Sequence, residues 1–159
     1  LIPHVGNNVS IPVIAAGGIT NGQGIFSAMA LGAEGVQIGT RFAATVESSA
    51  SEEYKKRVIG ATSLDTALIF RKIGLIRTLK NNFSLKVIEA EKAGADIEEL
   101  KTLLASKREK AGIFDGDFEN GLMEAGMGVG DISEILTVKE LFDKLLTEYN
   151  QTKIRMLNF

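Results

Sequence analysis

Apolar residues in the first third of the chain form two short runs on either side of a helical pattern. The run Ile11-Pro12-Val13-Ile14-Ala15-Ala16 is rich in β-branched residues and is halted by Gly17-Gly18. It is too short for a stable helix, so it predicts a strand buried on both faces, with Pro12 tolerated only at its start. Thr20-Asn21-Gly22 follows as a helix start with Asn21 as N-cap. From Gln23 to Leu31, Ile25, Phe26, Ala28 and Met29 fall on one helical face, and Gly32 suits a left-handed stop. The second run, Gly35-Val36-Gln37-Ile38-Gly39, predicts another strand. Strand, helix and strand in this order predict a right-handed βαβ unit with parallel strands.

Beyond this unit the pattern turns helical. Ser51 precedes Glu52 and Glu53, acids that favour a helix N-terminus. Residues 85–93 form an amphipathic segment ended by Gly94, and Asp96 with Glu99 and Thr137 with Glu140 have capping-box spacing. Leu100, Leu103 and Leu104 follow the first box, and Leu141, Phe142, Leu145 and Leu146 follow the second. Between these helices, Gly121 to Gly130 contains Gly at 121, 126, 128 and 130, which predicts a loop that approaches backbone or ligand. There is no internal repeat.

Composition sharpens this division. Residues 1–50 carry one Lys or Arg (Arg41) and two acids (Glu34, Glu47), and hold 8 of the 17 Gly. The remaining residues carry 17 basic and 18 acidic groups, which suits helices facing water. A net charge of −2 gives no electrostatic footprint for nucleic acid. The absence of Cys excludes disulfides, thiolate metal sites and Cys nucleophiles. No apolar run is long enough for a bilayer, and the first residues do not form a signal peptide, so the expectation is a cytoplasmic protein that binds no membrane.

Candidate chemistry lies where the strands end. Gly17-Gly18 lets the backbone turn tightly so that bare amides face a phosphate near a helix N-terminus. Gly39-Thr40-Arg41-Phe42 leaves the neighbouring strand at the same end, so amides from both loops can converge on one dianion, as in the phosphate site of (β/α)8 barrels. The competing reading makes both Gly sites simple tight turns. His4 is the only His and has no nearby orienting partner, which favours a structural or solvent role. Arg41 is placed to meet phosphate or to pair with Glu34 or Glu47. Arg77, Lys80 and Asn81 have the spacing of a polar helix face. Asp115, Asp117 and Glu119 lack the Gly and Glu positions of a Ca²⁺ loop and read as polar loop. Phe26, Met29 and Phe42 read as core, and the amphipathic segment 139–149 as a core or subunit contact.

The ordered series Ile11-Pro12-Val13-Ile14-Ala15-Ala16-Gly17-Gly18-Ile19, Leu31-Gly32-Ala33 and Val36-Gln37-Ile38-Gly39-Thr40-Arg41-Phe42 resembles the nitronate monooxygenase family. That family, formerly called 2-nitropropane dioxygenase, includes the FMN-dependent enoyl-ACP reductase II. The resemblance continues through Glu47-Ser48, Tyr54-Lys55, Arg77-x-x-Lys80-Asn81 and Gly121 to Gly130.

The resemblance implies the C-terminal portion of a TIM (β/α)8 barrel. Residues 1–50 form its last βαβ unit, and residues 51–159 a mostly helical region whose 121–130 loop packs back on the barrel. It implies FMN as cofactor, with the phosphate held at Gly17, Gly18, Gly39 and Thr40, and with Gly126 approaching the flavin through its backbone. The family usually has Gln where this chain has Met127. The family's active-site His lies in a Gly-Gly-His segment upstream of Leu1, so no catalytic residue is assigned here and the chain alone is expected to be an incomplete enzyme. The implied substrates are small molecules, a nitronate oxidised with O2 or an enoyl thioester reduced with NAD(P)H. Two other readings stand beside this one. One is a phosphate-ester lyase or isomerase barrel that binds no flavin. The other is a catalytically incomplete, self-associating module, since unpaired strand edges favour a homo-oligomer.

Overall fold

The computed structural model describes residues 1–105 and 107–158. A short helix α1 (Ile2–Gly6) leads to strand β1 (Ile14–Ala16), helix α2 (Gly22–Ala30) and strand β2 (Gly35–Gln37). The two strands pair in parallel, Ile14 against Gly35 and Ala16 against Gln37, which is the expected βαβ unit. Asn21 caps α2 by accepting from the Gly24 amide, and Gly32 takes the left-handed φ of +99° that ends it. Both strands are shorter than their apolar runs.

The small core of this unit is made of Ala15, Ala28 and Ala33, with Ile2, Ile19 and Val36 packed against it. The expectation of a strand buried on both faces is corrected here. Ala15 is buried, but Ile14 is 55% exposed and Ile11 69% exposed. The reason is the number of layers: α2 covers one face of β1, and among the described residues its only strand partner is β2.

Helix α3 (Thr40–Ala43) follows β2, and α4 (Glu52–Gly60) begins where Ser51 accepts from the Tyr54 amide. The next elements depart from the helical expectation. Strands β3 (Thr66–Ile69) and β4 (Ile76–Leu79) form an antiparallel hairpin, Thr66 opposite Leu79 and Ile69 opposite Ile76. Arg77 therefore lies on a strand and donates to Thr66 Oγ1, while Lys80 reaches the Leu64 carbonyl. Asn81 is buried as the N-cap of α5 (Asn82–Lys92) in a reciprocal box with Ser84, and its side-chain amide also donates to the Gly121 carbonyl. The three residues do not share a helix face.

Helix α6 (Ile97–Leu104) starts at the Asp96–Glu99 box and α7 (Val138–Leu157) at the Thr137–Glu140 box, both as the spacing predicts. The 121–130 segment is more ordered than a loop. The Leu79 amide donates to the Met123 carbonyl and the Ala125 amide to that of Arg77, so residues 123–125 form one antiparallel bridge to β4 at Thr78 and Glu124. Tyr54 Oη donates to the Glu124 carbonyl at 2.7 Å. Met123, Ala125, Val129 and Ile132 enter one core with Tyr54, Val58 and Leu79. A second core joins Ile69, Phe70, Phe83, Val87, Leu100 and Leu122.

Helix α7 docks on α2. Leu141 and Leu145 are buried, and each such side chain contributes about 1.5–3 kcal/mol through the water it sheds. Phe142 meets Phe42 at 5.3 Å between ring centroids, and Tyr149 meets Phe26 at 5.9 Å. Phe26 and Phe42 thus serve packing, as expected, whereas Met29 lies on the surface.

Candidate functional site

The parallel register fixes which loops can meet. With Ala16 opposite Gln37, the chain leaves β1 and β2 at the same end, into Gly17-Gly18 and Gly39-Thr40. Gly17 and Gly18 have φ of +95° and +70°, a left-handed pair that residues with a Cβ rarely adopt. These loops line one cavity of about 250 Å³, which Gly126 and Gly128 complete from the 121–130 segment. The lining contains no charged side chain.

The chemistry of the cavity is that of backbone donors. The amides of Gly18, Gly39 and Thr40 donate to no acceptor among the described residues. A Cβ placed on Gly17, Gly18 or Gly39 would meet nothing within 4 Å, so bare backbone faces open space. Thr40 Oγ1 accepts from the Gly126 amide at 2.9 Å, and its own O–H is left to donate. Three amides and one hydroxyl at the mouth of two strands suit an oxyanion that needs hydrogen bonds rather than a counter-charge.

Gly17, Gly18, Gly39, Thr40 and Gly126, the site residues inferred from the sequence, all line this cavity. The peptide groups of Gly126 are both committed, its amide to Thr40 and its carbonyl to the Val129 amide. Gly126 therefore sets the Thr40 hydroxyl and shapes the wall. Thr20, Gln37 and Gly128 also line the cavity and went unassigned from the sequence. Gly128 was visible only as one of four Gly in its segment. A Cβ there would overlap the Thr20 methyl, so its smallness is what lets the segment close on the β1 loop.

At the helix N-terminus expected to face a phosphate, two of the three first-turn amides are engaged internally. At the start of α2 the Gly22 amide donates to the Glu148 carboxylate of α7 at 2.8 Å, and the Gly24 amide to Asn21. Gln23, between them, does not line the cavity, so the donors that do belong to the loops and to Thr40.

Arg41 is buried, pairs with neither Glu34 nor Glu47, and does not line the cavity. It donates to the Glu134 carbonyl at 3.0 Å. Burial lowers its pKa, and the neighbouring Glu134 and Glu148 carboxylates partly oppose that shift. Arg41 therefore ties the end of the second loop to the segment before α7. His4 is exposed on α1 and lines none of this site. Asp115 pairs with Lys110 and Asp117 caps Asn120, and among the described residues no cluster of acids or His has the makings of a metal site. No helix among them is long and apolar enough to cross a membrane.

Behind the site, Glu124 has its pKa pushed up to about 7 from the ordinary 4.5, first by burial and then by the Glu109 carboxyl beside it. A carboxyl raised in the folded state stabilises the fold fully below the unfolded value, and that contribution is lost as pH rises through about 7. Thermal unfolding temperature is therefore expected to fall between about pH 5 and pH 8, and Glu124→Gln, which has no such proton to lose, to flatten that fall. An equal slope in the variant would remove Glu124 as its source.

Comparison with known proteins places these features in context. The nitronate monooxygenase family model matches residues 1–148. A probable nitronate monooxygenase of Bacillus subtilis is 33% identical over 149 residues, covering 93% of this chain and 43% of that protein. One from Staphylococcus aureus is 38% identical over 129 residues, covering 79% and 36%. Among solved structures, FabK from Thermotoga maritima superposes with a TM-score of 0.92 at 36% identity, over 99% of this chain and 50% of that one. Nitroalkane oxidase from Streptomyces ansochromogenes gives 0.79 at 30% identity, over 98% and 44%. The chain spans half or less of the length of each of these relatives. The βαβ unit and its following helices have the fold of part of a TIM barrel.

Proposed function

Because the chain belongs to the nitronate monooxygenase family, we propose that it forms the phosphate-binding part of an FMN-dependent oxidoreductase that oxidises nitronates with O2. The observation that carries this reading is the convergence of the unpaired Gly18, Gly39 and Thr40 amides, with the Thr40 hydroxyl, on one uncharged cavity. That donor set fits the phosphate of FMN, because an oxyanion accepts from all four groups and no side chain fills the space it needs.

FMN, when bound, supplies the electron-transfer chemistry, and the chain's part is to place it. Gly17 and Gly18 turn the backbone so that the β1 loop faces the phosphate. Gly39 and Thr40 present the second pair of amides. Gly126 holds Thr40 Oγ1 as an acceptor, which directs the hydroxyl proton outward. Arg41, engaged with Glu134, keeps the second loop in place without entering the cavity. These residues bind and orient; none of them is assigned a proton transfer.

The likeness to FabK, with a TM-score of 0.92, favours a second reading, NAD(P)H-dependent reduction of enoyl thioesters. The phosphate site serves both chemistries equally. The first test is a visible spectrum of the purified protein beside its intact mass, followed by titration with FMN. Yellow protein with releasable FMN, or saturable uptake of added FMN, is the expected result. Nitronate oxidation and NADH-dependent enoyl reduction by the loaded protein, or by a longer chain containing it, then separate the two readings. Protein that stays colourless and takes up no FMN overturns the assignment of the site.

A further inference from the structure

The first turn of α2 lies directly beyond the Gly17-Gly18 loop, where a free helix N-terminus would compete for the same anion. It is held instead by a residue 126 positions away. The Gly22 amide donates to Glu148 Oε2 at 2.8 Å. The three residues between Ile19 and Gln23 are each tied to a different anchor. Thr20 Oγ1 donates to Asp131 Oδ2 at 2.8 Å, Asn21 accepts from Gly24, and Gly22 donates to Glu148. Gly22 is buried against α7 so closely that a Cβ there would overlap the Tyr149 backbone.

The geometry points to Glu148 as a positioning residue for the phosphate site. Its carboxylate takes the N-terminal amide of α2 and fixes the end of the 17–21 loop against α7. This leaves the loop amides, those of Gly17, Gly18, Gly39 and Thr40, as the donors that a ligand finds. A phosphate is thereby directed to the junction of the two loops and away from the first turn of α2. The inference rests on the flavin-phosphate reading for its ligand, but the seating of α2 does not depend on any ligand.

The test is amide hydrogen exchange on the ligand-free protein, comparing the parent with Glu148→Ala and Glu148→Gln. Losing a hydrogen bond to a charged acceptor is expected to speed exchange in residues 17–24 by about tenfold or more in Glu148→Ala. Residues 66–92, on the hairpin and α5, should exchange as in the parent. Glu148→Gln keeps an acceptor oxygen and should stay within about threefold of the parent at residues 17–24. FMN affinity should follow the same order, weakened about tenfold by Ala and largely restored by Gln. Parental exchange at residues 17–24 in Glu148→Ala would overturn the inference, as would acceleration spread evenly through residues 66–92. Failure of all three proteins to bind FMN would instead overturn the flavin reading, while the exchange data would still decide the role of Glu148.

Discussion

Gly22→Ala is expected to destabilise the fold by about 3 kcal/mol, because the added methyl group has no space and nothing beside it can yield cheaply. The Cβ would overlap the Tyr149 backbone nitrogen and stand 2.5 Å from the Leu145 carbonyl oxygen. Both neighbours are backbone atoms inside α7, so relief requires the two helices to part. Parting them exposes Leu141 and Leu145 and breaks the Gly22–Glu148 hydrogen bond. Gly24→Ala, one half-turn along the same helix, is the control. Its Cβ would make ordinary contacts at 3.4 Å to Ile19 and 3.5 Å to Asn21, and Ala favours the helix over Gly by about 1 kcal/mol. Denaturant midpoints should fall sharply in the first variant and stay level or rise in the second. Equal midpoints would show that α2 and α7 do not approach as closely as described.

Gly39→Asp should do the reverse, abolishing ligand binding in a protein that remains folded. Gly39 has φ of −91°, which any residue adopts, and a Cβ there meets nothing within 4 Å. With a backbone that any residue adopts and open space at the Cβ, melting temperature should hold. Its carboxylate would enter the cavity that Gly18 and Thr40 line. A like charge within about 4 Å of a phosphate is worth several kcal/mol under partial screening, so FMN affinity should drop about a hundredfold or more. Riboflavin, which has the ring system without the phosphate, should bind the parent and the variant alike. Parental FMN affinity in Gly39→Asp would show that the phosphate lies elsewhere.

Local chemistry made much of the fold legible in the sequence. Asn21, Ser51, Asp96 and Thr137 cap helices where their side chains lie three residues before the amide they accept from. That relationship is complete within four residues, so no tertiary knowledge is needed to see it. The two Gly loops were legible for a similar reason, since a strand that stops at Gly leaves little choice of backbone. The β3–β4 hairpin was not. Thr66 to Ile69 and Ile76 to Leu79 are only four residues each, and Arg71, Lys72, Arg77 and Lys80 around them imitate a charged helix face. Its turn is also unusual, with Phe70 at φ of +60° held in a buried cluster with Phe83.

What escaped the sequence was decided by residues far apart in the chain. The Glu148 carboxylate reaches Gly22, Tyr54 reaches the Glu124 carbonyl, and Arg41 reaches the Glu134 carbonyl. Nothing at position 41 distinguishes a main-chain carbonyl at 134 from a phosphate or the carboxylates of Glu34 and Glu47, because a guanidinium donates equally well to each. Gly126 shows the same limit. Its identity pointed to a close approach, but only the bond from its amide to Thr40 shows which group it approaches.

The most direct test of the phosphate site is a set of amide shift maps of the isotope-labelled protein titrated with FMN, with riboflavin and with inorganic phosphate. If the two loops hold the phosphate, the Gly18, Gly39 and Thr40 amides should shift together with FMN. They should shift in the same direction with inorganic phosphate and stay in place with riboflavin. FMN shifts that leave these three amides unmoved, or that collect at another surface, would contradict the assignment of the loops as a phosphate site.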